Sequence, residues 1–431
     1  MAYYIDILAQ LGLSPESFVE TILEPIQNPD GQLLILTERR QNSVCPICHS
    51  GNIVIKDYYY RFLKVGVPRI NQITIQIKRV RYKCKKCGKT FVYPLFGLKN
   101  KKQHTNEFNK SLLEQMRFME SFKQIALENK VSISYVLKLF DNSFSYFPRL
   151  TMPKILCIDE FYFSRKKAFK YCCVLTNYET GDVIDIIQSR QKPFLKIYFG
   201  AINPIELSRV QYFVSDMYDT YSSIRDEYFP KSSYVIDKFH YVKQITEALN
   251  RYRVFVMNNI TETETKEYCF LKKCWKLFLC RTDDIEDKVK GKKFTCKYMN
   301  YEEYYVKMVL DCLKIDSIFF EAYMILQDIL TKQKFENYNA GKTFIEFIIN
   351  RLKNVDNPLF QSVGETYEKW KDPIINCITI NKTGYSISNG IAEGTNNLIK
   401  TVLKVSYGYK SFKRFRFRAL LVLRNKKAKT L

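Results

Sequence analysis

Two signals conflict within Lys154-Ile-Leu-Cys-Ile-Asp159-Glu-Phe-Tyr-Phe163. The apolar residues around Asp159, preceded by Met152-Pro153, predict a strand buried on both faces. A carboxylate at the centre of such a strand is costly unless a cation or a hydrogen-bond donor meets it. Either Asp159 pairs with a Lys or Arg as a structural acid, or it belongs to a site. The sequence on either side bears on that choice.

Downstream, residues 150–237 read as strands alternating with helices. Tyr171 to Asn177 and Asp182 to Gln188 are joined by the turn sequence Tyr178-Glu-Thr-Gly181, so with the Asp159 strand they predict an antiparallel meander. A helical piece over Pro193 to Ala201 precedes Val210-Gln-Tyr-Phe-Val-Ser-Asp216, an apolar strand that ends in an acid. Met217 to Tyr228 is helical in pattern. Ser233-Tyr-Val-Ile-Asp237 is a further strand, followed at once by Lys238-Phe-His240 and a helix to about Met257. Residues 258–385 read as mostly helical. Cys269, Cys274 and Cys280 lack a paired metal spacing there and read as core thiols; Trp275 and Trp370 read as core residues before DNA-stacking ones. Ser388-Asn-Gly-Ile-Ala-Glu393-Gly-Thr-Asn-Asn-Leu-Ile-Lys400 opens a last helix. Asn396, Asn397 and Lys400 share the face of Glu393, while Ile391, Leu398 and Val402 form the face expected to pack.

Upstream, residues 104–148 are helical in period. Ser121-Phe-Lys-Gln-Ile-Ala-Leu-Glu, Asn129-Lys-Val-Ser132 and Ile133-Ser-Tyr-Val-Leu-Lys-Leu-Phe140 have the shape of a helix-turn-helix, with Ile125 and Ala126 inside, Val131 in the turn and Ser132 as cap. A plain helical hairpin fits the same pattern. Residues 41–100 hold Cys45-Pro-Ile-Cys48 and Cys84-Lys-Lys-Cys87-Gly88, two pairs compact enough to offer four thiolates to one tetrahedral zinc ion. His49 is a substitute ligand only if a thiolate is missing. Between the pairs, Ile53 to Phe62 and Ile73 to Tyr82 alternate in polarity and predict the strands of a zinc ribbon. Residues 1–40 carry an amphipathic segment, helical in pattern and without an assignable role.

Charge narrows the partners. The net charge is +24, and residues 56–102 hold fourteen Lys or Arg against the single acid Asp57. From Thr401 onward there are ten Lys or Arg and no acid, interleaved with aromatics as in Tyr407-Gly-Tyr-Lys-Ser-Phe-Lys-Arg-Phe-Arg-Phe-Arg418. Such one-signed blocks predict a polyanion, nucleic acid before membrane. A solvated basic face is the plainer reading. No leader-like N-terminus and no membrane-length apolar run is visible, and thirteen cysteines suit a reducing cytoplasm. Asp159, Asp216 and Glu393 come from separate elements. If the fold gathers them, only cations relieve their repulsion, and oxygen ligation with open positions suits a pair of Mg²⁺ ions, as in phosphodiester chemistry.

That acid order, with the ending SNGIAEGTNNLIKTVLKVSYGYKSFKRFRFRALL and the CPIC…CKKCG ribbon, resembles the ISL-three family of bacterial insertion-sequence transposases over residues 40–425. One departure is Lys404-Val-Ser before Tyr407-Gly408, where many relatives are more basic. The resemblance implies a multidomain α/β chain. A zinc ribbon (41–100) and a helix-turn-helix (104–148) would precede an RNase H-like core, a mixed sheet with helices. That core would take residues 150–257 and the final 386–431, interrupted by an all-helical insertion (258–385). It implies Asp159, Asp216 and Glu393 as the acids holding two Mg²⁺ ions, with Mn²⁺ as substitute, and Cys45, Cys48, Cys84 and Cys87 on one structural Zn²⁺. Asp237 and His240 match a motif found beside such sites, although a capping histidine bonded to Asp237 fits equally.

Double-stranded DNA is the implied partner, as terminal inverted repeats and as target, with two ends paired by a dimer or larger homo-oligomer. Candidate contacts are Lys78, Arg79, Arg81, Lys85 and Lys86 in the ribbon, and Ser134, Tyr135 and Lys138 early in the second helix. Asn397, Lys400, Lys404, Lys410, Lys413, Arg414 and Arg416 follow near the C-terminus. A DNA-binding regulator derived from such an enzyme would need no acid triad. A nuclease of the same fold would lack strand transfer.

Overall fold

The computed structural model describes residues 8, 15–25, 31–41, 44–67, 71–94, 104, 106–165, 169–332, 334–379, 387 and 390–427. The chain forms two compact units, one of residues 1–148 and 399–431, the other of 149–398. Among the described residues no helix is long and apolar enough to cross a membrane.

In the first unit, strands β1 (Phe18–Pro25) and β2 (Gly31–Glu38) pair antiparallel, an element that the sequence reading of residues 1–40 did not include; Leu8 is helical, and the rest of residues 1–14 lies outside the described residues. Alternation in Leu33-Leu-Ile-Leu-Thr, with Leu34 and Leu36 fully buried, has the two-residue period of a strand. β3 (Ile53–Val67) and β4 (Asn71–Cys84) form the expected hairpin and run longer than the sequence pattern indicated. With β5 (Thr90–Phe91) on β4, the sheet runs β1-β2-β4-β3. Arg79, a candidate DNA contact, is corrected by its burial: it is 1% exposed, and its Nε and Nη2 donate to Glu38 at 3.2 and 3.0 Å. Removing one member of such a buried pair leaves an uncompensated charge, a cost of about 3–5 kcal/mol. Arg79 therefore holds β4 to β2.

Helices α1 (Asn106–Gln115), α2 (Phe122–Glu128) and α3 (Ile133–Ser143) follow. Ser121 caps α2 by accepting from Gln124 N–H, and Ser132 caps α3 by accepting from Tyr135 N–H. The turn closes through Val131 N–H to Ala126 C=O and Lys130 N–H to Leu127 C=O, with Lys130 at φ 51°. Ile125 and Ala126 are buried as expected.

The basic C-terminal stretch is not an open tail. Its helix, Phe412–Lys427, places Phe417 and Leu421 in one cluster with Phe108, Leu112, Ile125 and Phe140. Arg418 is 1% exposed and its Nη2 donates to the carbonyls of Phe118 and Glu120. Arg414 pairs with Asp141 at 2.6 Å, and Arg416 donates to Phe147 C=O. These cations fasten the helix to the α1–α3 cluster, and Arg414 and Arg416 stay half-buried.

In the second unit, β6 (Ile155–Tyr162), β7 (Tyr171–Asn177) and β8 (Val183–Ile187) make the expected antiparallel meander. Helix α4 (Lys192–Gly200) leads to β9 (Tyr212–Ser215), α5 (Asp219–Tyr228) to β10 (Ser233–Ile236), and α6 (Lys238–Asn258) departs from the sheet. β9 runs parallel to β6 and β10 parallel to β9, so the order is β10-β9-β6-β7-β8. Residues 266–378 are helical as expected, apart from a short hairpin of Lys293–Thr295 with Glu302–Tyr304 that the sequence reading missed. Trp370 is buried, whereas Trp275 is 36% exposed and so is not a core residue.

Candidate functional site

The sheet register gathers the acids. β6 and β9 pair at Cys157↔Val214, and Asp159 and Asp216 each lie two residues beyond that rung. β9 and β10 pair at Ser215↔Ile236, so Asp237 follows on the same row as Asp216. The row stands at the carboxyl ends of the two parallel strands β9 and β10, the side where open α/β sheets place their ligands.

Both oxygens of Asp159 are engaged: Oδ1 accepts from Glu160 N–H at 2.7 Å, and Oδ2 accepts from Asn396 Nδ2 at 2.5 Å. Asn396 belongs to the helix Gly390–Val405, which therefore meets the Asp159 strand across 237 residues of sequence. Glu393 lies in the first turn of that helix, one turn before Asn396; its side chain is outside the described set. Asn396 is 4% exposed, while Asn397 and Lys400 on neighbouring positions are exposed. The packed face also differs from the expected one. Thr395, Asn396, Ile399 and Val402 are buried and Leu398 is half-buried, while the Ile391 side chain is outside the described set.

Burial, first, and the neighbouring carboxylates of Glu160 and Asp159, next, push Asp216 up from 3.8 to about 7. Burial likewise raises Asp159, opposed by a main-chain hydrogen bond and by His240. Asp216 Oδ1 is buried without a hydrogen-bond partner among the described residues, and so is Asn396 Oδ1. A buried carboxylate oxygen without a partner, crowded by other carboxylates, suits a hard divalent cation. His240 Nε2 lies 3.8 Å from Asp237 Oδ2 at the start of α6.

The sequence reading missed Glu160 and Arg190. Arg190 Nη1 lies 2.6 Å from both Glu160 oxygens, and its guanidinium sits between the rings of Tyr171 and Tyr218, at 4.6 and 4.7 Å. The available signal was a second acid directly after Asp159. Its partner lies thirty residues away, beyond any local pattern.

A stability prediction follows from Asp216. Its folded pKa lies above its unfolded one, so the native state holds the proton more tightly. Between about pH 4 and pH 7 the unfolded chain binds fewer protons at this position, and stability falls as pH rises. Without divalent cations, Asp216→Asn should therefore unfold at higher denaturant than wild type at pH 8, with the difference vanishing near pH 4. Denaturant midpoints at the two pH values measure it.

The second cluster is metal-like in geometry. The ligand atoms of Cys45, Cys48, Cys84 and Cys87 all lie within 4.8 Å of one another, with Cys45–Cys87 at 3.7 Å and Cys48–Cys84 at 3.6 Å. A tetrahedron with Zn–S bonds of about 2.3 Å has edges of about 3.8 Å. Two matching turns build it: His49 N–H donates to Cys45 C=O and Gly88 N–H to Cys84 C=O, at φ 54° and 73°. The Cys87 N–H is the largest influence holding Cys84 down at about 7. His49 is exposed and outside the thiol group.

Of the remaining candidates, Lys85, Lys86, Ser134, Lys138, Lys404 and Lys413 are exposed, and Lys78, Arg81 and Lys410 are half-buried or exposed. Arg81 pairs with Asp57 at 3.2 Å, and Tyr135 OH donates to Asn109 at 2.5 Å.

A protein-family model of the ISL-three group, described as a transposase, matches residues 156–419, well over half the chain. Comparison with curated proteins gives no match.

Proposed function

The chain belongs to the ISL-three family of transposases, and from that premise we propose that it is a DDE enzyme of an insertion sequence. In this reading the second unit is an RNase H-like core with a helical insertion, and the first reads the element ends. The observation that carries the reading is the Asn396–Asp159 hydrogen bond, which joins the Glu393 helix to the row of Asp159 and Asp216. The sheet order β10-β9-β6-β7-β8, an antiparallel meander flanked by two parallel strands, supports it.

Asp159, Asp216 and Glu393 would hold the divalent ions, for which Mg²⁺ is the proposed species. Bound there, they supply charge neutralisation at the scissile phosphate and an activated water. The chain's own residues do the rest. Asn396 orients the Asp159 carboxylate, and Arg190, paired with Glu160, offsets part of the negative charge around Asp216. Asp237 and His240 stand at the same end of the sheet, where His240 would contact the scissile phosphate. The freed 3′-hydroxyl would then attack target DNA. Zinc on the four cysteines would hold the ribbon, and α2 and α3 would form the helix-turn-helix that enters the major groove of double-stranded inverted repeats. Two ends imply at least a dimer.

Incubation of the purified protein with duplexes carrying its element's ends and Mg²⁺, mapped at nucleotide resolution, tests the reading. Nicks at the element boundary followed by joined products are expected. Nicks without joining would leave a nuclease, and binding alone a regulator.

A further inference from the structure

The hairpin strand β3 carries an aromatic row that no part of the proposed chemistry uses. Tyr58, Tyr60 and Phe62 alternate along it and are 43%, 55% and 55% exposed. Alternation puts all three on one face, about 6.8 Å apart along the strand. Opposite them on β4 stand Val80, Lys78 and Gln76. The Lys78 ammonium lies 5.2 Å from the Tyr58 ring centroid, and Arg40 Nη2 donates to Tyr58 OH at 2.9 Å.

We propose that this face binds unpaired bases of a DNA strand, with Tyr60 and Phe62 as stacking platforms and Lys78 and Arg40 beside the backbone. The inference rests on the DNA-processing reading above and deepens it by naming the state of the DNA. A contiguous row of large exposed rings along one strand face marks a binding surface. The occupant follows from charge. Residues 56–102 hold fourteen cations and one acid, and that acid, Asp57, is already paired with Arg81. A second copy of the same face would meet like charge, whereas a polyanion is attracted. Rings favour bases over phosphates alone, and a paired duplex keeps its base faces stacked inside. Only unpaired bases offer them.

The test uses the full-length protein, a single-stranded oligothymidylate of about 15 nucleotides and a blunt duplex of the same length. Wild type should bind both. Tyr60→Ala and Phe62→Ala should each weaken the oligothymidylate complex by about 5- to 150-fold, and leave the duplex complex unchanged. Tyr60→Phe and Phe62→Tyr, which keep a ring, should bind as wild type. Zinc content checks that the hairpin is intact, and Tyr60→Leu keeps the apolar bulk without the ring if the alanine variant loses zinc. Wild-type binding of oligothymidylate by the ring-less variants overturns the proposal, as does equal loss on both DNAs or no single-strand binding by wild type. If element ends are cleaved while this pattern fails, the stacking face falls alone. If the pattern holds while cleavage is absent, the transposase reading falls and the face stands.

Discussion

Asp216→Asn should abolish cleavage of DNA carrying the element ends while the protein remains folded and bound to them. The substitution keeps the shape of the side chain and removes the charge. In the metal-free protein that charge is unwelcome: it is buried, it faces Glu160 and Asp159, and Asp216 Oδ1 is without a hydrogen-bond partner among the described residues. The variant should thus be no less stable than wild type. Its loss should appear only where a cation is needed, as a fall of several orders of magnitude in nicking rate, because positioning and charge neutralisation supply most of the catalysis in phosphoryl transfer. Mg²⁺ should raise the melting temperature of wild type and not that of the variant. Glu393→Gln should behave alike, since its helix is fastened at Asp159 through Asn396. Nicking at the wild-type rate by either variant would remove that residue from the proposed triad.

Cys84→Ser should release zinc and end specific binding of the element ends. Cys84 closes β4, pairs with Ile53 at the start of β3, and accepts through its carbonyl the Gly88 N–H that shapes the second turn. Four thiolates converging without a metal repel one another, and structural zinc contributes folding free energy outright, about 10–16 kcal/mol in small zinc domains. The damage should stay within the first unit. Both tryptophans, Trp275 and Trp370, lie in the second, so the unfolding transition seen by tryptophan fluorescence should be unchanged. The strand signal in circular dichroism should fall. Zinc at one ion per chain in wild type and none in the variant is the expected metal analysis; a zinc-free wild type would overturn the site.

Local patterns carried much of this protein. The apolar run around Asp159, the polarity alternation of Ile53 to Phe62, and the Ser121 and Ser132 caps are properties of a few consecutive residues, and the structure reproduces each. The cysteine pairs gave the thiol cluster for the same reason, since each pair is one turn and only one long-range meeting is required. The acids at strand ends were visible as residues out of place in apolar runs. Their common row was not, because it depends on which strands lie side by side.

Tertiary structure alone decided the rest. Charge counts treat every arginine alike, yet Arg79 is spent on Glu38 forty-one residues away, and Arg418 on carbonyls 300 and 298 residues away. A buried guanidinium with partners is a structural brace, and its sequence is indistinguishable from that of a surface DNA contact. The strands β1 and β2 within residues 1–40 went unread because they are held by pairing with each other and, through β2, with β4 rather than by their own pattern. Asn396 became a partner of Asp159, and Arg190 of Glu160, only when separate elements met. Sequence fixes which groups are available and which face of an element they occupy; which buried charge meets which partner is set by packing, where leaving one unpaired is too costly to persist.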